Sequence, residues 1–151
     1  MSHPGITLTL PTIQQTREDG MPATLTIRDE ALSGQVLSEI TLDFFTEHIT
    51  ARDLICRRIR EEVRRYNLTR PRFFRSLVQP AEAEAALNGY RLRKGRSVDA
   101  EAQCRQALKA FEQNGFFILI DDRQVEDLDE VIELKVDTKV SFLRLTPLVG
   151  G

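Results

Sequence analysis

Phe116-Phe117-Ile118-Leu119-Ile120 is the stretch that most restricts what this chain can fold into. Five consecutive apolar residues stand between Asn114-Gly115 and Asp121-Asp122, both of which are turn-forming pairs. As a strand it is apolar on both faces. Such a strand lies inside a sheet, or it meets a partner with its outer face. The rest of the chain must therefore supply neighbouring strands and a covering layer.

Both are legible. Ala23 to Asp29 alternates apolar and polar residues, and Val36 to Phe45 follows after a turn at Leu32-Ser33-Gly34. The spacing predicts a hairpin. Thr50 then caps a helix, with Asp53 three residues on as in a capping box, and the helix runs to about Tyr66. Ile55, Ile59 and Val63 form its apolar stripe beside Cys56. Arg57, Arg58, Arg60, Arg64 and Arg65 are expected to cover the remaining faces. Residues 67–97 are punctuated by Pro71, Pro80, Asn88-Gly89 and Gly95, with a short helix expected over Ala81 to Leu87. Phe73, Phe74, Leu77, Val78 and Leu87 read as anchors there. A second helix is expected after an N-cap at Ser97, with Ala100, Cys104, Ala107, Leu108 and Phe111 inward and Asn114-Gly115 as its end. After the central strand, Gln124 to Leu128 reads as an edge strand, Asp129 to Leu134 as irregular, and Val140 to about Leu145 as the last strand. A hairpin, a helix across it and a last strand beside the first make a mixed α+β sheet gripping a helix.

The 151 residues suit one domain, 23–151, with an insertion at about 68–112 and an N-terminal extension over residues 1–22. Gly5 to Leu10 in that extension alternates like a short strand and could pair with a neighbour's sheet edge, so self-assembly through residues 1–22 is one expectation. No apolar run approaches the ~20 residues that span a bilayer. Met1-Ser2-His3-Pro4 lacks the features of a signal peptide. With two cysteines and no disulfide framework, a cytoplasmic location is expected.

Charge is uneven. Ala51 to Ser97 holds 13 Lys and Arg against 5 Asp and Glu, whereas the other residues hold 8 against 18. That asymmetry fits an acidic partner, a nucleic-acid surface, or basic faces that are solvated or lie against the chain's own acidic loops. No aromatic-interleaved RNA motif is present, so a nucleic-acid partner is not expected.

Catalytic constellations are missing. Cys56 has no His and Asp partner set, and His3 and His48 are isolated. Gly89 to Gly95-Arg96-Ser97 has one residue too many between its glycines for a phosphate loop, and Arg96 where Lys is required. The acidic group from Asp121 to Glu130 lacks cation-loop spacing and reads as a solvated face. The chain is expected to be no enzyme and to carry no cofactor.

The chain ends in Thr146-Pro147-Leu148-Val149-Gly150-Gly151. Two terminal glycines leave a side-chain-free backbone and a carboxylate. In its order of elements the chain resembles the ubiquitin-like (β-grasp) family. The resemblance is most specific from Asp122 to Gly151, a stretch of 30 residues that ubiquitin matches without a gap. Ubiquitin has Lys-Gln-Leu-Glu-Asp after the corresponding turn. Here the residues are Arg123-Gln124-Val125-Glu126-Asp127. The Pro147-to-Gly151 ending also looks like the tails of sulfur carriers of the same fold. Residues 23–67 match in pattern only, and residues 1–22 and 68–112 have no counterpart.

This resemblance implies a protein modifier of the kind found in bacteria beside activating and conjugating enzymes. An adenylating enzyme would activate the Gly151 carboxylate with ATP and pass it to a thiol as a thioester, for conjugation to target proteins. An isopeptidase would reverse the bond. Gly150 would permit close approach of backbone, Leu148 and Val149 would fill the channel mouth, and Pro147 would stiffen the tail. The resemblance also implies an outward apolar patch at Leu119, Leu143 and Leu145, with Ile118, Ile120 and Phe142 inward and Arg144 inward at the strand end. A one-residue slip would exchange the faces. The alternative is that all these residues are core or covered by the inserted helix. Only four lysines are present, Lys94, Lys109, Lys135 and Lys139, and ubiquitin's lysine after the third strand is replaced by Arg123. Linkage chains are therefore not expected. Two other functions stay open: a sulfur carrier bearing a C-terminal thiocarboxylate, and a self-assembling interaction module.

Overall fold

A computed structural model describes residues 22–93 and 96–145. The first two strands form the expected hairpin, β1 (Ala23–Ala31) antiparallel to β2 (Val36–Phe44). Gly34 turns the chain at φ +92°, a conformation open to glycine. Along β1 the residues Ala23, Leu25, Ile27 and Asp29 are buried while Thr24, Thr26 and Arg28 face solvent. The alternation therefore runs true, but its fourth inward place is taken by a carboxylate.

Strand β3 (His48–Thr50) leads straight into helix α1 (Ala51–Thr69). Thr50 accepts a hydrogen bond from the Asp53 N–H, as the capping pattern predicts. The helix ends where Arg70 enters the left-handed region at φ 48°, ahead of Pro71. Its buried face is wider than one stripe and includes Leu54, Ile55, Arg58, Ile59, Glu62, Val63 and Tyr66. Arg58, expected on the surface, is 2% exposed. The reason is tertiary. The inserted segment covers the flank of α1 that a bare helix would leave in water.

That segment holds a hairpin, β4 (Glu84–Ala86) with β5 (Gly89–Arg91), in place of the expected helix over Ala81 to Leu87. Seven residues are too few to stabilise an isolated helix. Asn88-Gly89 also favours a tight hairpin turn. Tyr90 exchanges two backbone hydrogen bonds of 2.8 Å with Phe74, and Gly89 sits at φ +132° with no room for a Cβ beside the Phe74 carbonyl. Leu87, expected as an anchor, is 90% exposed at the hairpin tip. Phe73 is half-buried, while Phe74, Leu77 and Val78 are core.

Helix α2 (Ala100–Glu112) is capped by Asp99, whose carboxylate accepts from the Glu101 and Ala102 N–H groups. Ser97 is not the cap. Its hydroxyl instead accepts from the Arg70 guanidinium. At the other end Asn114, at φ 60°, takes the left-handed place expected of Gly115. The Gly115 N–H reaches back to the Ala110 carbonyl and the Asn114 N–H to Phe111, which closes a Schellman motif.

Strand β6 (Phe116–Ile120) pairs with short β7 (Arg123–Gln124) on one side and with β9 (Val140–Arg144) on the other. The edge strand expected over Gln124 to Leu128 stops at Gln124. Val125 and Leu128 turn inward as core residues. The stretch expected to be irregular contains β8 (Val131–Glu133), antiparallel to β3. Backbone bonds from the first turn of α1 to Glu130 and Leu128 hold this pair in place.

The main sheet has the order β2-β1-β9-β6-β7. β1 and β9 run parallel, and the other pairings are antiparallel. The protein is α+β, with a mixed sheet and two helices. Among the described residues no helix is long and apolar enough to cross a membrane.

Candidate functional site

Strand β9 is the middle strand of the sheet and leads to Leu145, the last residue before the terminal six. Period-2 alternation gives it two faces. Val140 and Phe142 are buried below, whereas Ser141 and Leu143 lie above, partly open. Neighbouring β6 divides in the same way, with Phe116, Ile118 and Ile120 buried and Phe117 and Leu119 partly open. The inward phase expected for Ile118, Ile120 and Phe142 is therefore observed, without a register slip. Arg144 takes an inward place opposite Phe116 and stays half-buried because it lies at the strand end.

On the open face Phe117 is directly opposite Leu143 and Leu119 is opposite Ser141. Leu145, 39% exposed, continues this row beyond the strand. The expected patch of Leu119, Leu143 and Leu145 is thus brought to one side, and neither helix covers it. Phe117 belongs to it and was missed. Its signal was available, since it shares the phase of Leu119.

The rest of that face is mostly polar. Thr24 pairs with Asp43, Arg28 with Glu39, and the Ser141 hydroxyl donates to Glu30 at 2.8 Å. Apart from Val36, which is paired with Glu30 and 45% exposed at the β2 edge, the apolar surface of this face lies in the β6–β9 half. Beside it lies a depression of about 330 Å³ that Thr26, Arg28, Leu119 and Lys139 help to line.

Beneath the patch the strand is fastened by charge. Phe142 stacks against Phe116 with ring centres 5.7 Å apart, and the Arg58 guanidinium lies 4.7 Å from the Phe142 ring centre. Arg58 donates to both Asp29 carboxylate oxygens and, through Nε at 2.7 Å, to Glu62. Ser38, the register partner of Asp29, donates a further bond to it at 3.0 Å. The other Glu62 oxygen accepts from the Ser76 hydroxyl and the Leu77 N–H, and Gln103 donates to Ser76. The chain of bonds ties β1 and β9 to α1, to the insertion and to α2. Removing one member of such a buried set typically costs about 3–5 kcal/mol, because the remaining charges lose their partner.

Two carboxylates share one guanidinium here. Burial pushes the Glu62 carboxyl above its ordinary value, against the opposing pull of Arg58. Burial pulls Arg58 down, but Glu62 and Asp29 outweigh it, and the guanidinium stays firmly charged.

Cys56 and Cys104 are both buried and free. The Cys104 thiol donates to the Cys56 carbonyl, and burial together with that neighbour pushes its pKa up to about 12. At neutral pH it is a core thiol and not a nucleophile. The acidic stretch is partly used by its own backbone and side chains. Asp121 accepts from the Lys139 N–H, Asp127 from the Asp129 N–H, and Glu130 pairs with Arg123. Among the described residues no three His, Cys, Asp or Glu side chains are gathered as metal ligands.

Pro147, Leu148, Val149, Gly150 and Gly151, expected to carry the tail chemistry, lie outside the described residues, as does the strand expected over Gly5 to Leu10. No family model and no curated protein matches the chain.

Proposed function

We propose that this chain is a β-grasp, ubiquitin-like protein modifier whose C-terminal glycine carboxylate is activated and joined to target proteins. The observation that carries the reading is the parallel pairing of the first and last strands, with β9 in mid-sheet, its open apolar face, and a di-glycine ending that follows it in the sequence. A helix across the closed face and a hairpin on the far side of β1 support the same fold assignment.

A carboxylate is a poor acyl donor, so the chemistry belongs to partner enzymes. An adenylating enzyme has the Gly151 carboxylate attack the α-phosphate of ATP, which releases pyrophosphate and leaves a mixed anhydride with AMP, and a cysteine thiol then displaces the AMP to give a thioester. A target amine then displaces the thiol and forms an amide. In this scheme the chain is substrate and tag. Phe117, Leu119, Leu143 and Leu145 serve as a docking face for the partners, and the glycines serve as the part that reaches the active site.

Full-length protein incubated with a cognate adenylating enzyme and ATP should give a thiol-sensitive adduct on non-reducing gels. Deletion of Gly150-Gly151 should abolish it. An adduct that survives the deletion, or none at all, sinks the proposal. The Pro147-to-Gly151 ending also supports a sulfur carrier. Intact mass from cells separates the two, since replacement of one oxygen by sulfur marks the carrier and isopeptide adducts mark the modifier.

A further inference from the structure

Most of the arginines of α1 find acidic partners nearby. Arg60 pairs with Glu101, Arg64 and Arg65 with Glu61, and Arg52 with Asp129. The insertion is different. Between the end of α1 and the β4–β5 hairpin lies an open cleft of about 810 Å³ lined by Arg70, Arg72, Arg91, Arg93 and Arg96, with Tyr66 and Leu92 among the other residues of its wall.

Three of these five cations have no carboxylate among the described residues. Arg70 is held rigidly but by neutral acceptors: the Asn67 and Arg96 carbonyls and the Ser97 hydroxyl, at 3.0–3.2 Å. Its charge is placed and uncompensated. Arg72 lies against the ring of Phe73, 5.3 Å from its centre, and Arg93 has no side-chain partner among the described residues. Arg91 and Arg96 are bound by Glu84 and Glu82, at 2.6 and 3.6 Å. Both glutamates are more than 70% exposed, so a competing carboxylate from outside can replace them at little cost.

We infer that this cleft is a docking site for an acidic peptide segment of a partner protein, one carrying carboxylates around an apolar residue. The guanidinium groups match carboxylates in geometry and charge. The apolar part of the wall takes the apolar side chain. One feature favours a peptide over a nucleic acid. Single strands are held by stacking on open aromatic faces, whereas Tyr66 is 8% exposed and Phe73 is overlain by Arg72. The site is independent of the tail and of the adenylation chemistry.

The test uses full-length protein and a short fluorescein-labelled peptide of glutamates flanking a single leucine, followed by anisotropy at low and physiological salt. Saturable binding that weakens with salt is expected. Arg72→Ala with Arg93→Ala should weaken it about tenfold, as expected for the loss of two exposed charge pairs. Glu82→Gln with Glu84→Gln should tighten it, a gain that damage to the fold cannot produce. A peptide with Gln for Glu should not bind. The inference is overturned by absence of saturable binding, or by binding indifferent to both double variants. It is also overturned if a single-stranded oligonucleotide binds through the same arginines more tightly than the peptide.

Discussion

Glu62 lies between the sheet and the insertion, with one carboxylate oxygen facing Arg58 and the other facing Ser76 and Leu77. Asp29 stands on the far side of the same guanidinium. Burial holds the Glu62 carboxyl above its ordinary 4.5. In the interval between 4.5 and that raised value, the folded protein keeps a proton that the unfolded chain has released. The stabilising contribution of this titration is therefore complete at lower pH and declines as pH rises through the interval. Glutamine cannot titrate, so Glu62→Gln lacks the decline. Urea denaturation at a series of pH values should show the stability difference moving in favour of the variant as pH rises above 4.5. A difference that does not vary with pH would show that Glu62 titrates as an ordinary carboxylate.

At the scale of elements, caps and turns decided where local propensity was ambiguous. Two candidate caps stand before α2. Asp99 accepts two backbone N–H bonds, whereas Ser97 serves Arg70. Asp99→Ala should cost about 1 kcal/mol. Ser97→Ala should stay within about 0.5 kcal/mol, as an exposed substitution away from any cap. Thermal or urea unfolding of the two variants checks the order, and equal losses would refute the assignment of the cap. The β4–β5 hairpin follows the same logic. Alanines at 81, 83, 85 and 86 favour a helix in isolation, but Asn88-Gly89 and the bonds from Phe74 to Tyr90 favour extended backbone.

For the whole molecule, the sheet order is what makes the chain end interpretable. β9 runs parallel to β1 in the middle of the sheet, and in the sequence it is followed by Leu145 and the terminal six residues. The apolar row of Phe117, Leu119, Leu143 and Leu145 lies on the open face of β6 and β9. Replacing Phe117 and Leu143 with serine should leave the fold intact, because both are partly open and the core lies on the other face. If this face docks the adenylating enzyme, thioester formation should fall severalfold, while far-ultraviolet circular dichroism stays unchanged. Unaltered adduct formation would remove the face from the proposed mechanism.

Strands that alternate and helices that begin at a good cap are written locally, so they could be read from the chain. Ala23 to Asp29, the cap at Thr50, the strand over Phe116 to Ile120 and the composition of Pro147 to Gly151 are of this kind. The outward phase of Leu119 and Leu143 came from the resemblance to ubiquitin and not from alternation, because a strand apolar on both faces does not say which face is buried. Other features were set by partners distant in the chain. Arg58 looks like one more surface arginine until Asp29 approaches it from β1 and the insertion closes over α1. Strand β8 exists because β3 lies beside it, and no local pattern announces it. The cleft arginines are ordinary basic residues in the sequence. Only the fold decides that Arg70, Arg72 and Arg93 line one hollow with no carboxylate of their own among the described residues, because desolvation and charge pairing depend on what is near in space.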